Sequence, residues 1–222
     1  MEGTDFRFKT ERVWKPREVV GLDIGSKTIK AVQLKQKGKL AKLNGYGQFN
    51  VPDNYIIEGI ISEPEKLAKE LKKFFAEEVW GKITAGRVAM SIPESKVFTR
   101  ILTLPRAGDK SREEAIAWEA SQIIPMAVSD LYMDWHNVGP NKTDPKSDDI
   151  IFAAAPKGIV NSYVQLAQLM DLELISVETT LSAVTKAMVP MKSTSETVLV
   201  VDIGHKSTNL AIFDQYIRVT GS

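Results

Sequence analysis

The chain has 222 residues, 43% of them hydrophobic and 26% charged, and its 29 basic and 28 acidic side chains leave a net charge of +1. This balance removes net charge as a basis for nucleic-acid binding, and the absence of cysteine excludes disulfide frameworks, zinc fingers, thiolate clusters and cysteine nucleophiles. Two histidines leave little room for a His-based metal site, no apolar run approaches the ~18–20 residues of a membrane span, and residues 1–17 lack the apolar stretch of a signal peptide, so the chain reads as soluble.

Residues 1–17 mix charges with scattered aromatics and read as a flexible tail. Order begins at Val19-Val20-Gly21-Leu22, which runs into Asp23-Ile24-Gly25-Ser26-Lys27-Thr28 and a second apolar run to Leu34, the pattern of a hairpin. Residues 40–51 supply a third strand. Ser62-Glu63-Pro64-Glu65 reads as a capping box opening a helix with Leu67, Leu71, Phe74 and Phe75 on its apolar face, ended by Gly81. Strands over 87–92 and 96–104 follow, joined by a turn at Pro93-Glu94-Ser95. Ser111-Arg112-Glu113-Glu114 then reads as a second capping box, for a helix stopped by Pro125.

Beyond Pro125 the chain alternates: strands over 130–138 and 149–155, a helix over 157–170, a strand over 172–177, a helix over 179–188 and a strand from 197. This alternation predicts an α/β sheet buried on both faces, with the main domain boundary at the linker 190–195.

The most informative feature is an internal repeat. Val19-Val20-Gly21-Leu22-Asp23-Ile24-Gly25-Ser26-Lys27-Thr28 is echoed by Val198-Leu199-Val200-Val201-Asp202-Ile203-Gly204-His205-Lys206-Ser207. Each copy is an apolar strand, Asp-Ile-Gly, a polar residue, lysine and a hydroxyl residue. Glycine allows a tight turn whose backbone N–H groups can face an anion, and an aspartate at a strand end can hold Mg²⁺ through water. Two copies predict a cleft that clamps a nucleotide's phosphates from both sides.

These hairpins resemble the two phosphate loops of the actin-like ATPase superfamily. Within it the chain is similar to the type IV pilus assembly PilM family, relatives of the cell-division protein FtsA. Ile29-Lys30-Ala31-Val32, Leu104-Pro105, Glu119-Ala120-Ser121-Gln122-Ile123-Ile124-Pro125 and the strand Leu131-Tyr132-Met133-Asp134-Trp135 carry this likeness. The resemblance implies an α/β fold: an actin-like (ribonuclease H-like) lobe, formed by 18–45 and 126–190, with an α+β subdomain of the FtsA/PilM type inserted at 46–125. The second lobe would begin at 191–222 and remain incomplete at Ser222, since the family continues into further nucleotide-binding segments.

For the site, the resemblance implies that Asp23 and Asp202 face Mg²⁺ and the phosphates of ATP, and that Gly25, Ser26, Gly204 and Ser207 shape the loops. Lys30 would contact phosphate, and Glu178 would stand beside the metal and the attacking water. The implied function is a cytoplasmic nucleotide-binding scaffold of the type IV pilus inner-membrane platform. It would bind the cytoplasmic N-terminal tail of PilN between the first lobe and the inserted subdomain, remain peripheral to the membrane through partners, and show weak or absent hydrolysis. A nucleotide-independent adaptor and an FtsA-like division filament are the alternatives. Thr179, where the superfamily commonly has proline, and His205, where it has a small residue, depart from the pattern. Lys27, Lys206, His136 and His205 read as turn or strand residues outside the chemistry, and Glu178 can alternatively cap the helix that follows it.

Overall fold

Alternation of buried Val20, Leu22 and Ile24 with Gly21 and Asp23 makes Val20–Ile24 a strand, β1, in the computed structural model, and a two-stranded extension follows as β2 (Thr28–Lys37) and β3 (Leu40–Asn50). The structure describes residues 18–38, 40–106, 108–188, 197–205, 207–214 and 216–219. The tail over 1–17 and the linker over 190–195 lie outside the described residues.

A short hairpin, β4 (Ile56–Ile57) and β5 (Ile60–Ile61), leads into helix α1 (Pro64–Glu77). Proline sits in the first turn, where its missing N–H is no loss. Leu67, Ala68, Leu71 and Phe74 form the buried face. The expected capping box is not made: Glu63 is the N-cap and no side chain caps this end. Nor does Gly81 end the helix, which closes at Glu78. Gly81, at φ +76°, instead lies in the edge strand β6 (Trp80–Gly81), where a Cβ would fall 2.3 Å from the Asn44 carbonyl oxygen.

The remaining elements are β7 (Arg87–Ile92), β8 (Phe98–Pro105), α2 (Asp109–Ile123), β9 (Leu131–Pro140), β10 (Ser147–Pro156), α3 (Lys157–Leu169), β11 (Glu173–Thr179), α4 (Thr180–Met188), β12 (Val198–Ile203), β13 (Thr208–Asp214) and β14 (Tyr216–Val219). Helix α2 also lacks a side-chain cap and has Gly108 as its N-cap, three residues before Ser111, the expected first residue of the box. Its apolar stripe is Ile116, Ala120 and Ile124, while Ile123 faces outward.

Strand pairing divides the chain into bodies that the sequence pattern did not separate. The order β11-β7-β1-β2-β3-β6 forms one sheet, parallel at β11-β7-β1 and antiparallel beyond. Strands β8-β10-β9 form a second, antiparallel sheet, and β12-β13-β14 a third. The boundaries expected at 46 and 125 are therefore not where the sheets divide. Elements β3 to β7 and α1 belong to the first sheet and its core, whereas β9 and β10, assigned to the first lobe, pair with β8. Alternation reveals a strand but not its partner: β7 and β8 are separated by one turn at 93–97, yet β7 pairs with β1 and β8 with β10.

Helices α1 and α3 cover one face of the first sheet, joining Phe74, Tyr163 and Leu166 to Val20, Leu22, Ile29 and Val88. The Phe74 ring lies 5.8 Å from Phe49. Gln33, fully buried here, accepts the backbone N–H groups of Thr84 and Ala85 and donates to Glu18 and Thr84. The opposite face is not covered along its length as expected, because Val32, Leu34, Leu43 and Tyr46 are exposed. The second sheet packs Leu104, Ile150, Phe152 and Ala154 against Ile116 and Ala120 of α2.

Candidate functional site

The two repeat hairpins close with the same geometry. The Gly25 N–H donates to the Thr28 carbonyl at 3.0 Å, and the Gly204 N–H donates to the Ser207 carbonyl at 2.9 Å. A Cβ at Gly25 would stand 3.0 Å from that carbonyl oxygen and one at Gly204 3.1 Å from its counterpart, so a tight approach to backbone favours glycine in both. Both glycine N–H groups are thus engaged within their own turns, and loop donors for an anion have to come from elsewhere in each turn. Lys27 points away into an ion pair with Asp53 at 2.6 Å.

Register builds a row of polar groups across the first sheet. Asp23 on β1 is opposite Lys30 on β2 and opposite Ser91 on β7, and Ser91 is opposite Glu178 on β11. All four stand on the face opposite α1 and α3, where the parallel strands β1, β7 and β11 end, the position at which α/β sheets commonly bind ligands; Asp23 and Lys30 are open there, while Ser91 is buried. The Ser91 hydroxyl donates to Asp23 Oδ1 at 2.6 Å and Lys30 Nζ lies 3.8 Å from Oδ2. The aspartate side chain stays 41% exposed, open to a ligand while held from both sides.

Ser91 was not legible as a site residue. Its role depends on a parallel pairing between positions 68 residues apart, and no local pattern marks it.

Glu178 joins this row but turns toward α4, accepting from Lys186 Nζ at 2.7 Å and from the Ser182 hydroxyl at 3.4 Å. Thr179 accepts the Ser182 N–H at 3.2 Å, the geometry of an N-cap. The threonine that departs from the superfamily pattern therefore does the capping, and Glu178 is not needed for it. Beside them Glu94 is buried, and burial pushes its carboxyl above the usual range against the pull of Thr179 and the Leu181 N–H. One of its oxygens has no hydrogen-bond partner.

The second hairpin places Asp202 opposite Asn209, the position matching Lys30 in the first copy, and Asn209 donates to Asp202 at 3.1 Å. Helix α4 connects the halves: Leu181 and Val184 pack with Val198, Val200 and Ala211 of the second-hairpin sheet. Among the described residues no group of three or more acidic or histidine side chains forms a cage for a metal. The donors on offer are single carboxylates. These suit a Mg²⁺ ion held by one or two carboxylates, waters and substrate phosphate, and not one bound by protein alone.

A separate groove of about 520 Å³ lies where the first body meets the second. The β4–β5 hairpin contributes Glu58 and Ile60, the segment before β9 contributes Met126 and Asp130, and the start of α3 contributes Lys157 to Ile159. Its lysines are occupied: Lys96 pairs with Glu58 at 3.5 Å, and Lys157 donates to the Ser129 carbonyl at 2.7 Å beneath the Tyr132 ring.

The comparisons agree with this architecture. The structure of a PilM-PilN type IV pilus biogenesis complex matches with a TM-score of 0.79 at 23% identity, over 91% of this chain and 61% of that one. The cytoplasmic domain of EpsL, an inner-membrane component of the type II secretion system of Vibrio cholerae, matches with a TM-score of 0.57 at 8% identity, over 92% of this chain and 71% of that one. Both show the actin-like fold, and the chain spans about three-fifths of the length of the PilM-PilN relative. A family model described as type IV pilus assembly protein PilM matches residues 21–219. With nearly the whole chain inside that match, the protein belongs to the PilM family of type IV pilus assembly proteins.

Proposed function

We propose that the chain serves as an actin-like, nucleotide-binding cytoplasmic scaffold of the type IV pilus inner-membrane platform, and that it binds the cytoplasmic N-terminal tail of PilN. Family membership over residues 21–219 is the observation that carries this reading. The groove between the β4–β5 hairpin and the Met126 to Asp130 segment is the seat we assign to the tail. It is open, lined by Ile60, Met126 and Ile159, and its charged groups already have partners within the chain. An extended peptide would gain affinity there from apolar pockets and backbone hydrogen bonds. Among the described residues no helix is long and apolar enough to cross a membrane, so the bilayer would be reached through PilN.

At the open sheet face, Asp23 and Asp202 would hold Mg²⁺, and Lys30, Gly25, Ser26, Gly204 and Ser207 would surround the phosphates of ATP. Bound there, the metal would neutralise phosphate charge. Ser91 would fix the Asp23 carboxylate and Glu178 would orient a water. With Glu178 bound to Lys186, its carboxylate has a competing partner, and hydrolysis is weak or absent because phosphoryl transfer depends on positioning.

The test is calorimetric titration of the chain with a synthetic PilN tail peptide. Binding that weakens at least tenfold in Ile60→Glu or Met126→Glu, with the circular dichroism spectrum unchanged, supports the reading. No binding to the folded chain refutes it.

A further inference from the structure

A charge asymmetry in the sequence extends well beyond both sites. Between Asp23 and Asp53 there is not one acidic residue, and lysine occurs six times, in a chain whose net charge is only +1.

The topology sets the part of this stretch beyond Gln33, with Lys35, Lys37 and Lys42, on a two-stranded arm, while Lys27 and Lys30 stay at the first hairpin beside Asp53 and Asp23. Strand β1 stops pairing at Val20 opposite Gln33, while β2 and β3 continue as a bare two-stranded ribbon through Leu34–Leu43, Lys35–Lys42, Gln36–Ala41 and Lys37–Leu40. Because side chains alternate, the ribbon has two unlike faces. One carries the Leu34–Leu43 pair and, next along, Tyr46, which is opposite Trp80 of β6. The other carries Lys35 and Lys42 directly opposite each other, with Lys37 beyond. Leu40, opposite Lys37 and so on the lysine face at the tip, is 76% exposed, and Trp80 is 73% exposed. Like charges placed opposite destabilise a ribbon, and among the described residues only Lys35 of the three lysines has a carboxylate partner, Glu18 at 3.0 Å. At the C-terminal end of α1 the acids are Glu77, paired with Lys73, and Glu78.

Exposed leucines beside a Trp–Tyr pair suit the boundary between lipid tails and headgroups, and lysines on long apolar stems reach from there to phosphate. We propose that the β2–β3 arm, with Trp80, is a docking surface for the anionic phospholipid headgroups of a bilayer. Such contact would be direct, in addition to any tether through PilN and independent of that reading.

Flotation of the full chain with vesicles tests it. Vesicles containing phosphatidylglycerol should carry the protein at least tenfold better than pure phosphatidylcholine, with the difference shrinking as salt rises. Combined Lys35→Glu, Lys37→Glu and Lys42→Glu should abolish flotation, whereas Lys66→Glu, Lys69→Glu and Lys73→Glu on α1, with the same net charge, should retain it. Lipids brominated near the headgroup should quench the fluorescence of the wild type more than that of Trp80→Phe. Equal loss in both lysine sets, equal quenching in both proteins, or no flotation with anionic vesicles would overturn the proposal; in the last case an acidic protein partner becomes the reading for the arm.

Discussion

Replacing Asp148 by alanine tests how the second sheet is held together. Asp148 sits on β10 with its side chain 11% exposed and accepts three hydrogen bonds. Arg106 Nε donates to Oδ1 at 3.0 Å, Arg112 Nη2 to Oδ2 at 3.1 Å and Asn137 Nδ2 to Oδ2 at 3.2 Å. Arg106 is half exposed and can turn to water, but the Arg112 side chain is only 9% exposed, lies 5.4 Å from the Trp135 ring and has its Nε already without a partner.

Asp148→Ala therefore leaves a buried guanidinium with no carboxylate, a change that costs about 3–5 kcal/mol when one member of a buried pair is removed. Removing both charges in Asp148→Leu/Arg112→Met should cost far less, because the pair's Coulomb energy and its desolvation largely cancel. Urea unfolding followed by circular dichroism, with hydrogen exchange on β8 to β10 to locate the loss, measures both variants. A loss under about 1 kcal/mol in Asp148→Ala, or a double variant as unstable as the single one, would refute the reasoning.

Other expectations follow from the same geometry. Ser91→Ala should weaken Mg-ATP binding several-fold by freeing Asp23, and Asp23→Ala or Asp202→Ala should abolish it; calorimetry with unchanged affinity in all three would remove these residues from the site. Gly45→Ala would set a Cβ 2.4 Å from the Lys82 carbonyl oxygen, so it should cost about 1–3 kcal/mol and accelerate exchange of the Lys82 N–H now bonded to Asn44. Glu94 has its folded-state pKa raised by burial, so the folded chain binds the extra proton. Its contribution to stability is greatest below the ordinary glutamate value and declines as pH rises through the raised one. Glu94→Gln should flatten that decline, and thermal melts across this range in both proteins would show it.

Local turns and helix faces were readable from residue order alone. In both copies Asp-Ile-Gly between apolar runs forms a hairpin, closed by the glycine N–H on the fourth residue's carbonyl. The apolar spacing of Leu67, Leu71 and Phe74 likewise specifies a helix with one buried face. Asp23 and Lys30 were each singled out from the resemblance, and the hairpin that the pattern predicts sets them opposite each other. Which strands share a sheet emerged only on folding, since period-two patterning carries no address and β8, β9 and β10 look no different from strands of the first sheet. Its effect on the site is direct. Parallel pairing of β7 with β1 and β11 sets Ser91 between Asp23 and Glu178, and a one-residue slip would turn that hydroxyl to the opposite face. Helix caps lay between these extremes: the residues of two capping boxes were present, but the chain entered each helix at a different position, because packing of the buried stripe, worth more than one hydrogen bond, sets where a helix begins.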